Sequence, residues 1–164
     1  MSQTPNRPVT HSLTGGEKMK QTGHPNAVAR IRGGRDYPDV RGMVRFFQRC
    51  DGVLVEAEVS GLPKTKTGFF AFHIHEGASC AGDGFPDSGG HWNPGGTEHP
   101  SHAGDLPPLL GDFGKACLKV LTGRFRVEEI IGRTVILHGD PDDFHTQPAG
   151  NAGRKIACGV IRRF

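Results

Sequence analysis

Hydrophobic and polar residues alternate with a period of two along several short segments of the chain. In segment 53–59 every second residue is Val or Ala, and the residues between them are Leu54 and two glutamates. Segment 69–76 also alternates, with Phe72 and Ile74 on one face and His73 on the other. This period is typical of half-buried β-strands. Further strands are predicted at 27–32, 40–49, 116–121, 133–138 and 156–161.

Two long polar segments, 77–114 and 139–154, separate the predicted strands and contain many Gly, Pro, Asp and His residues. Loops of this length in a compact domain usually carry function. The 164 residues include 25 Gly and 12 Pro, which favours short elements and turns over helical bundles or coiled coils. We therefore predict one all-β domain, an antiparallel sandwich or barrel with its site on the two loops.

The first 26 residues differ from the rest because they are polar and show no hydrophobic periodicity. We interpret 1–26 as a mobile leader before a domain at 27–164. Residues 1–26 also lack the apolar segment of a secretory signal, which favours the cytoplasm. A signal already removed from this chain would make the periplasm or the extracellular space the alternative. No apolar run approaches the roughly 18 residues of a membrane helix, so we expect no membrane span.

The formal net charge of +3 is unevenly distributed along the chain. Residues 1–35 hold six basic residues and one acidic residue, while the remainder is mildly acidic. We therefore attribute the basic charge to the leader. Scattered basic residues without interleaved aromatics are more typical of a solvated tail than of a nucleic-acid interface, and we expect no nucleic-acid partner.

Histidine is the informative residue type, because five of the nine histidines fall between residues 73 and 102. His73 and His75 leave the same face of a predicted strand, roughly 6.5–7 Å apart, and could converge on one metal ion. His138 ends another predicted strand and is the same kind of candidate. The alternative is a set of strand histidines that bond only to the backbone.

A second group of candidate ligands follows in the first long loop. His91, His99, His102 and Asp105 offer three imidazoles and a carboxylate, which suits a tetrahedral zinc site. The alternative is a flexible His-rich loop without a fixed metal.

Short motifs containing these residues occur in a fixed order over residues 69–161: FHIHE, GGHWNP, HAGDLP, GRTVILH and GNAGRKIACGVI. Their ordered combination resembles the copper–zinc superoxide dismutase family over most of the chain beyond the leader. The resemblance implies a Greek-key, immunoglobulin-like antiparallel sandwich or barrel of about eight strands. It also implies an enzyme that converts superoxide into oxygen and hydrogen peroxide with copper and zinc ions as cofactors.

The resemblance places the ligands position by position. The implied copper ligands are His73, His75, His91 and His138, and the implied zinc ligands are His91, His99, His102 and Asp105. His91 then bridges the two ions, and it would leave copper and take up a proton when copper is reduced. Asp142 resembles the carboxylate that hydrogen-bonds one ligand of each site.

Other residues acquire roles from the same resemblance. Cys80 and Cys158 match the disulfide of the family, which leaves Cys50 and Cys117 as free thiols on strands. Asp143 is expected in a structural salt bridge, and His145 on the surface.

The sequence departs from the family pattern at Lys155, where an arginine usually guides the substrate. Lysine keeps the positive charge and loses the planar fork of arginine, so we expect attraction of superoxide to survive. The interval between His99 and His102 is also short, which indicates a trimmed zinc loop.

Two other functions use subsets of these residues. A non-catalytic copper or zinc module of the same fold, such as a copper carrier or buffer, would most simply have lost one ligand. A structural zinc protein would leave His73, His75 and His138 unexplained. Dimers are common in the resembling family, so a homodimer is one assembly to test. The implied disulfide is more typical of an oxidising compartment and opposes the cytoplasmic assignment.

Overall fold

The computed structural model describes residues 23–164, so most of the predicted leader lies outside the described residues. Eight strands account for most of the regular structure, which confirms the all-β prediction. The helical elements within residues 23–164 are a single 3₁₀ turn, Pro86–Ser88, and the short helix α1, Val127–Ile130. The strands are β1 Ala27–Gly33, β2 Arg41–Arg49, β3 Gly52–Ser60, β4 Phe69–His75, β5 Asp105–Asp112, β6 Lys115–Thr122, β7 Thr134–His138 and β8 Lys155–Arg163.

These strands close into one antiparallel barrel in the order β1-β2-β3-β6-β5-β4-β7-β8, with β8 returning to β1. The chain passes from β3 to β4 across the ends of β6 and β5, a Greek-key connection. Because β2 and β3 stand across the ring from β4 and β7, the molecule has two opposite faces. Neither helix in residues 23–164 is long and apolar enough to cross a membrane.

The barrel interior follows from the alternation along each strand. Val53 and Val55 of β3 and Phe72 and Ile74 of β4 are fully buried inside, as their spacing predicts. Glu58, between two inward positions, is exposed. Burial of these apolar side chains, at about 25 cal/mol per Å² removed from water, is the main force that closes the barrel.

Strand β5 corrects the prediction that residues 77–114 form one loop. The loop ends at β5, where Leu106 and Leu109 enter the core at 3% and 1% exposure. The strand was not predicted from the sequence because it contains Pro107 and Pro108, and proline lacks the N–H that donates hydrogen bonds between strands. The structure accommodates both prolines at an irregularity in the β4–β5 pairing, and β6 pairs with β5 only at Gly111 and Asp112.

The outer sides of β4 and β7 are covered by the two long loops, now bounded as 76–104 and 139–154. His73 and His75 therefore lie on the outer side of the barrel wall and are still buried, at 0% and 2% exposure. A layer between wall and loops thus excludes water from the histidines.

Candidate metal centre

Two groups of metal-ligand side chains lie in this covered layer, and they share His91. Within each group the potential donor atoms lie within 4.8 Å of one another. The His91 side chain is only 3% exposed. The first group is His73, His75, His91 and His138, and the second is His91, His99, His102 and Asp105.

Hydrogen bonds to the backbone set the ring orientation of two histidines in the first group. His75 Nδ1–H donates to the Gly89 carbonyl at 2.9 Å, and His138 Nδ1–H donates to the Gly153 carbonyl at 3.3 Å. Each neutral ring has then used its one proton, so each Nε2 presents a lone pair. The two Nε2 atoms face each other at 3.3 Å. Two lone pairs at that distance repel unless a cation lies between them.

Asp142 orients one histidine from each group. Its Oδ2 accepts a hydrogen bond from His73 Nε2–H at 2.8 Å, and its Oδ1 accepts one from His99 Nε2–H at 2.9 Å. The Phe144 backbone N–H donates to the same Oδ1 at 2.7 Å. This carboxylate therefore fixes both tautomers and leaves each Nδ1 unprotonated.

Asp105 is the centre of the second group. Its Oδ1 lies 2.8 Å from His91 Nδ1, and its Oδ2 lies 3.0 Å from His99 Nδ1 and 3.3 Å from His102 Nδ1. The His102 backbone N–H also donates to Oδ2 at 3.0 Å. Three imidazoles around one carboxylate match the donor set of a zinc site.

Several buried ring nitrogens in both groups lack any hydrogen-bond partner. Unpaired buried polar atoms are rare in folded proteins and need an explanation, such as an ion. His91 has its Nδ1 beside Asp105 and its Nε2 unpaired, so the one ring faces both groups. The residues therefore fit two metal ions. The unpaired atoms are His73 Nδ1, His91 Nε2, His99 Nδ1 and His102 Nδ1.

The protonation states suit metal binding at neutral pH. Burial lowers the pKa of His75 to about 2 and that of His138 to about 3, so both rings are neutral. For Asp142, burial acts to raise the pKa, but the hydrogen bonds from His73, Phe144 and His99 outweigh it and hold the pKa at about 2. Neutral imidazoles and ionised carboxylates are the forms that coordinate metals.

Comparison with known proteins agrees with this donor set. The sequence pattern of the family described as copper/zinc superoxide dismutase matches residues 40–161.

The chain belongs to the copper/zinc superoxide dismutase family.

Two relatives are named "Superoxide dismutase [Cu-Zn] 2", from Aquifex aeolicus, and "Superoxide dismutase [Cu-Zn]", from Deinococcus radiodurans. The Aquifex protein is 35% identical over 139 residues, which cover 76% of this chain and 80% of the relative. The Deinococcus protein is also 35% identical, over 144 residues that cover 75% and 78% of the two chains. Membership of this family makes the protein an enzyme, a superoxide dismutase with copper and zinc as cofactors.

Lys155, the predicted substrate-attracting cation, begins β8 directly opposite His138. Its Nζ donates to Ser88 Oγ at 2.7 Å and to the Gly89 carbonyl at 2.8 Å. Burial lowers the pKa of this ammonium group. The Gly89 carbonyl thus accepts hydrogen bonds from both Lys155 and His75, which joins the cation to the first group. Arg154 points elsewhere, with an ion pair to Asp36 at 3.2 Å.

Arg124 is a contributor that the sequence did not reveal. Its Nη1 donates to the carbonyls of Pro100, His102 and Asp105 at 3.0, 3.1 and 3.1 Å. Two of these carbonyls belong to the second-group ligands His102 and Asp105, and the third belongs to Pro100, directly after His99. Arg124 therefore clamps the short segment from His99 to the start of β5. An arginine in the turn after β6 carries no sequence signal for this contact.

The disulfide implied by the family pattern is present between Cys80 and Cys158, with Cα atoms 5.7 Å apart. Cys50 and Cys117 are free and exposed. Cys117 lies on β6, but Cys50 lies in the turn between β2 and β3, which corrects its predicted strand position.

Asp143 makes an ion-pair contact, as predicted, and its partner is a histidine: Asp143 Oδ1 lies 2.8 Å from His145 Nδ1. The Asp143 carboxylate also accepts hydrogen bonds from the backbone N–H groups of His145 and Thr146 at 3.0 and 2.8 Å, which caps a turn. His145 is exposed, as predicted.

Proposed function

We propose that the first group holds the copper ion and the second group holds the zinc ion, with His91 between them. The two donor sets differ in the way that separates these metals. The first group contains only imidazoles, which copper binds well, and the second adds a carboxylate to complete a tetrahedral zinc site. The observation that carries this assignment is His91, whose two ring nitrogens face different groups.

When bound, copper supplies one-electron chemistry: two superoxide ions and two protons become one oxygen and one hydrogen peroxide while zinc keeps its charge. Nε2 of His91 would carry one of the two protons that the reaction consumes. Its Nδ1 is held on the Asp105 side at 2.8 Å, so the ring stays in place when Nε2 gains or loses a proton. Nε2 is buried on the first-group side, where a proton can pass directly to the forming peroxide.

Lys155 attracts the substrate anion in this proposal. Its ammonium group lies beside the loop carbonyls that border the first group and carries the positive charge nearest to His138 along β8. Local positive charge in a cleft raises the encounter rate of a small anion. Lysine makes this contact as a point charge without the bidentate geometry of arginine, so it attracts superoxide more than it orients it.

We further place the catalytic domain at residues 27–164 and keep 1–26 as a leader. The barrel begins with Ala27, and no residue before it belongs to a strand in the described part of the chain. Cytoplasmic location and a homodimer stay predictions, which cell fractionation and analytical ultracentrifugation would check.

One experiment tests the proposed assignment and the non-catalytic alternative together. The copper and zinc content per chain is measured on the same sample as the rate of superoxide decay. We expect one copper and one zinc per chain and a decay rate that rises in proportion to copper content. A sample that contains both metals and leaves superoxide decay unchanged would instead support a copper carrier or buffer.

A further inference from the structure

The barrel face opposite the metal centre is strongly basic. Arg32, Arg41, Ser60 and Lys115 are cross-strand neighbours in one row across β1, β2, β3 and β6. Arg30 lies in the adjacent row, opposite Met43. The prediction that the excess basic charge belongs to the leader is therefore wrong for Arg30 and Arg32. Both residues belong to β1 and contribute to this folded surface.

Two acids lie near the four cations of this face without forming an ion pair with them: Asp112 is the cross-strand neighbour of Lys115, and Glu58 lies on the same outer face. The two glutamates of β3 pair elsewhere: Glu56 with Lys119 at 2.5 Å and Glu58 with Arg45 at 3.5 Å. Within residues 23–164, no carboxylate lies within ion-pair distance of the four exposed cations. These cations are Arg30, Arg32, Arg41 and Lys115.

The pair Arg32 and Arg41 lies directly opposite across two hydrogen-bonded strands. Like charges in this arrangement destabilise a sheet. Fold stability therefore does not account for the pair, whereas an external anion would. A groove of about 900 Å³ runs over this face, and all four cations line it.

Exposed apolar side chains border the same groove. Leu110 lines it at 57% exposure, and Phe69 is its cross-strand partner at 40% exposure. Phe113, in the turn beside Lys115, is 94% exposed and has a left-handed backbone with φ 46°. A bulky residue rarely adopts this conformation, and here it holds the ring at the tip of the β5–β6 hairpin.

The neighbouring loop adds further positive charge at this tip. The Leu62 N–H donates to the Gly114 carbonyl at 3.1 Å, which joins segment 61–68 to the hairpin. Lys64 and Lys66 of that segment are exposed, and Asp112 is the acid within the hairpin. The tip therefore has apolar side chains surrounded mainly by cations.

We propose that this face, called the basic face and defined by Arg30, Arg32, Arg41, Lys115, Leu110 and Phe113, docks onto an anionic lipid surface. Arginine and lysine bind anionic headgroups, and protruding Phe and Leu side chains enter the boundary of the acyl chains. A second copy related by two-fold symmetry would bring the same cations together, which is unfavourable. Phe113 could stack on a base, but the protruding Leu110 has no flat ring for stacking and can bury its surface only in an apolar phase, so the combination favours lipid over nucleic acid.

Docking in this orientation leaves the metal centre free. Strands β4 and β7 lie across the barrel from β2 and β3, so the histidines face away from the lipid. A superoxide ion would approach from the solvent side, away from the negative surface that would repel it.

The test measures sedimentation of the metal-loaded full chain with vesicles of phosphatidylglycerol and phosphatidylcholine. Each cation contributes about fivefold to such binding, so R32Q combined with R41Q should weaken it about 25-fold. Because the like-charge pair destabilises the sheet, its removal should raise the melting temperature slightly, and the superoxide decay rate should stay unchanged. R49Q combined with R163Q removes the same charge at the other end of the barrel and should weaken binding far less.

Phe113→Ser provides the second arm, because it keeps every charge and should weaken vesicle binding selectively. Equal losses in the R32Q/R41Q and R49Q/R163Q proteins would show mere net-charge attraction and overturn the proposal. Duplex DNA binding that matches vesicle binding, without any effect of Phe113→Ser, would overturn it in favour of a general polyanion site. A dimer that Phe113→Ser dissociates, without vesicle binding, would identify a second copy as the occupant.

Discussion

The two halves of the metal centre share His91 but are built from different kinds of structure. Three of the four first-group ligands lie within strands: His73 and His75 belong to β4, and His138 ends β7. The fourth, His91, forms an isolated bridge with His75 of β4. The second group is built mainly on the loop before β5, where His99 and His102 lie in irregular backbone. Only Asp105, the first residue of β5, belongs to a strand.

The first group is therefore a preformed site, whereas the second group depends on side-chain hydrogen bonds that hold its loop. Barrel hydrogen bonds hold the first-group backbone whether or not a metal is bound. The second group relies on Asp142, Arg124 and its own Asp105 to keep the loop in place. In the proposed assignment, copper thus binds to the group with the more rigid backbone, and zinc binds to the group that lies mainly on a loop.

Loss of one ligand from each half gives the largest expected effect. His138→Ala should remove copper and abolish superoxide decay, with zinc retained, because His138 belongs only to the first group. His102→Ala should remove zinc first and leave the copper ligands in place. Metal content per chain and decay rate measure both variants. Retained dismutation in the H138A protein would contradict the assignment of the first group.

Lys155→Glu tests the charge beside the first group. Steering contributes a factor of about 10 to 1,000 to the encounter rate, so we expect a loss within that range. The native rate should fall with added salt, and the K155E rate should rise, because the sign of the local charge is reversed. Pulse radiolysis at several ionic strengths measures both slopes.

Arg154→Glu is the matched control for Lys155→Glu. It changes the charge by the same amount at the next residue, but its side chain faces Asp36 and Tyr37. Equal effects of the two variants would exclude a special role for Lys155.

Acid should destabilise the metal-free protein through the strand-held histidines. His75 and His138 have a pKa of about 2 and about 3 in the folded state, against 6.5 in the unfolded chain. Below pH 6.5 the unfolded chain therefore binds more protons, and the free energy of unfolding falls as pH falls. The expected slope is about 1.4 kcal/mol per pH unit for each histidine. Urea unfolding at a series of pH values measures it, and a flat profile below about pH 6 would disprove the burial of neutral rings.

Asp142→Asn should weaken both halves together. A neutral amide offers one acceptor oxygen, so either His73 or His99 loses its hydrogen-bond partner. Loss of such an outer contact typically lowers metal affinity by about 10- to 100-fold. Chelator competition for copper and zinc measures the change. Asp143→Asn is the neighbouring control, and an equal loss in that variant would argue against the bridging role.

Arg124→Gln should affect the loop-built half alone. Hydrogen bonds to a charged group contribute about 1.5–3 kcal/mol, so removal of the clamp should weaken zinc binding about tenfold or more. Copper affinity should stay the same, because none of the clamped carbonyls belongs to a first-group residue. Arg126→Gln is the control two residues away. Unchanged zinc release in the R124Q protein would mean that the loop holds its shape without the clamp.

The sequence was sufficient where a short-range pattern determines structure. Alternation in 53–59 predicts β3, and the spacing of His73 and His75 predicts their common face. The ordered motifs then bring His91, His99 and His138 into one candidate centre. The sequence did not predict β5, because Pro107 and Pro108 are unfavourable in strands. Pairing with the distant strand β4 stabilises β5.

Contacts between residues that are distant along the chain also could not be predicted from the sequence. Arg124 reaches loop carbonyls up to 24 residues away, and no local pattern records that distance. The pairing of Arg32 with Arg41 likewise depends on the register of β1 against β2. Composition counts charges along the chain, whereas strand register decides which charges share a surface.

The disulfide between Cys80 and Cys158 has a consequence for where this enzyme can work. Cys80 lies in the same loop as Gly89, whose carbonyl orients His75 and holds Lys155, and Cys158 lies on β8. Reduction would free that loop from the barrel and loosen the Gly89 carbonyl, which accepts hydrogen bonds from both His75 and Lys155. The thiol–disulfide balance of the surroundings would then set the fraction of working enzyme, so that the catalyst responds to the oxidative conditions that produce its substrate.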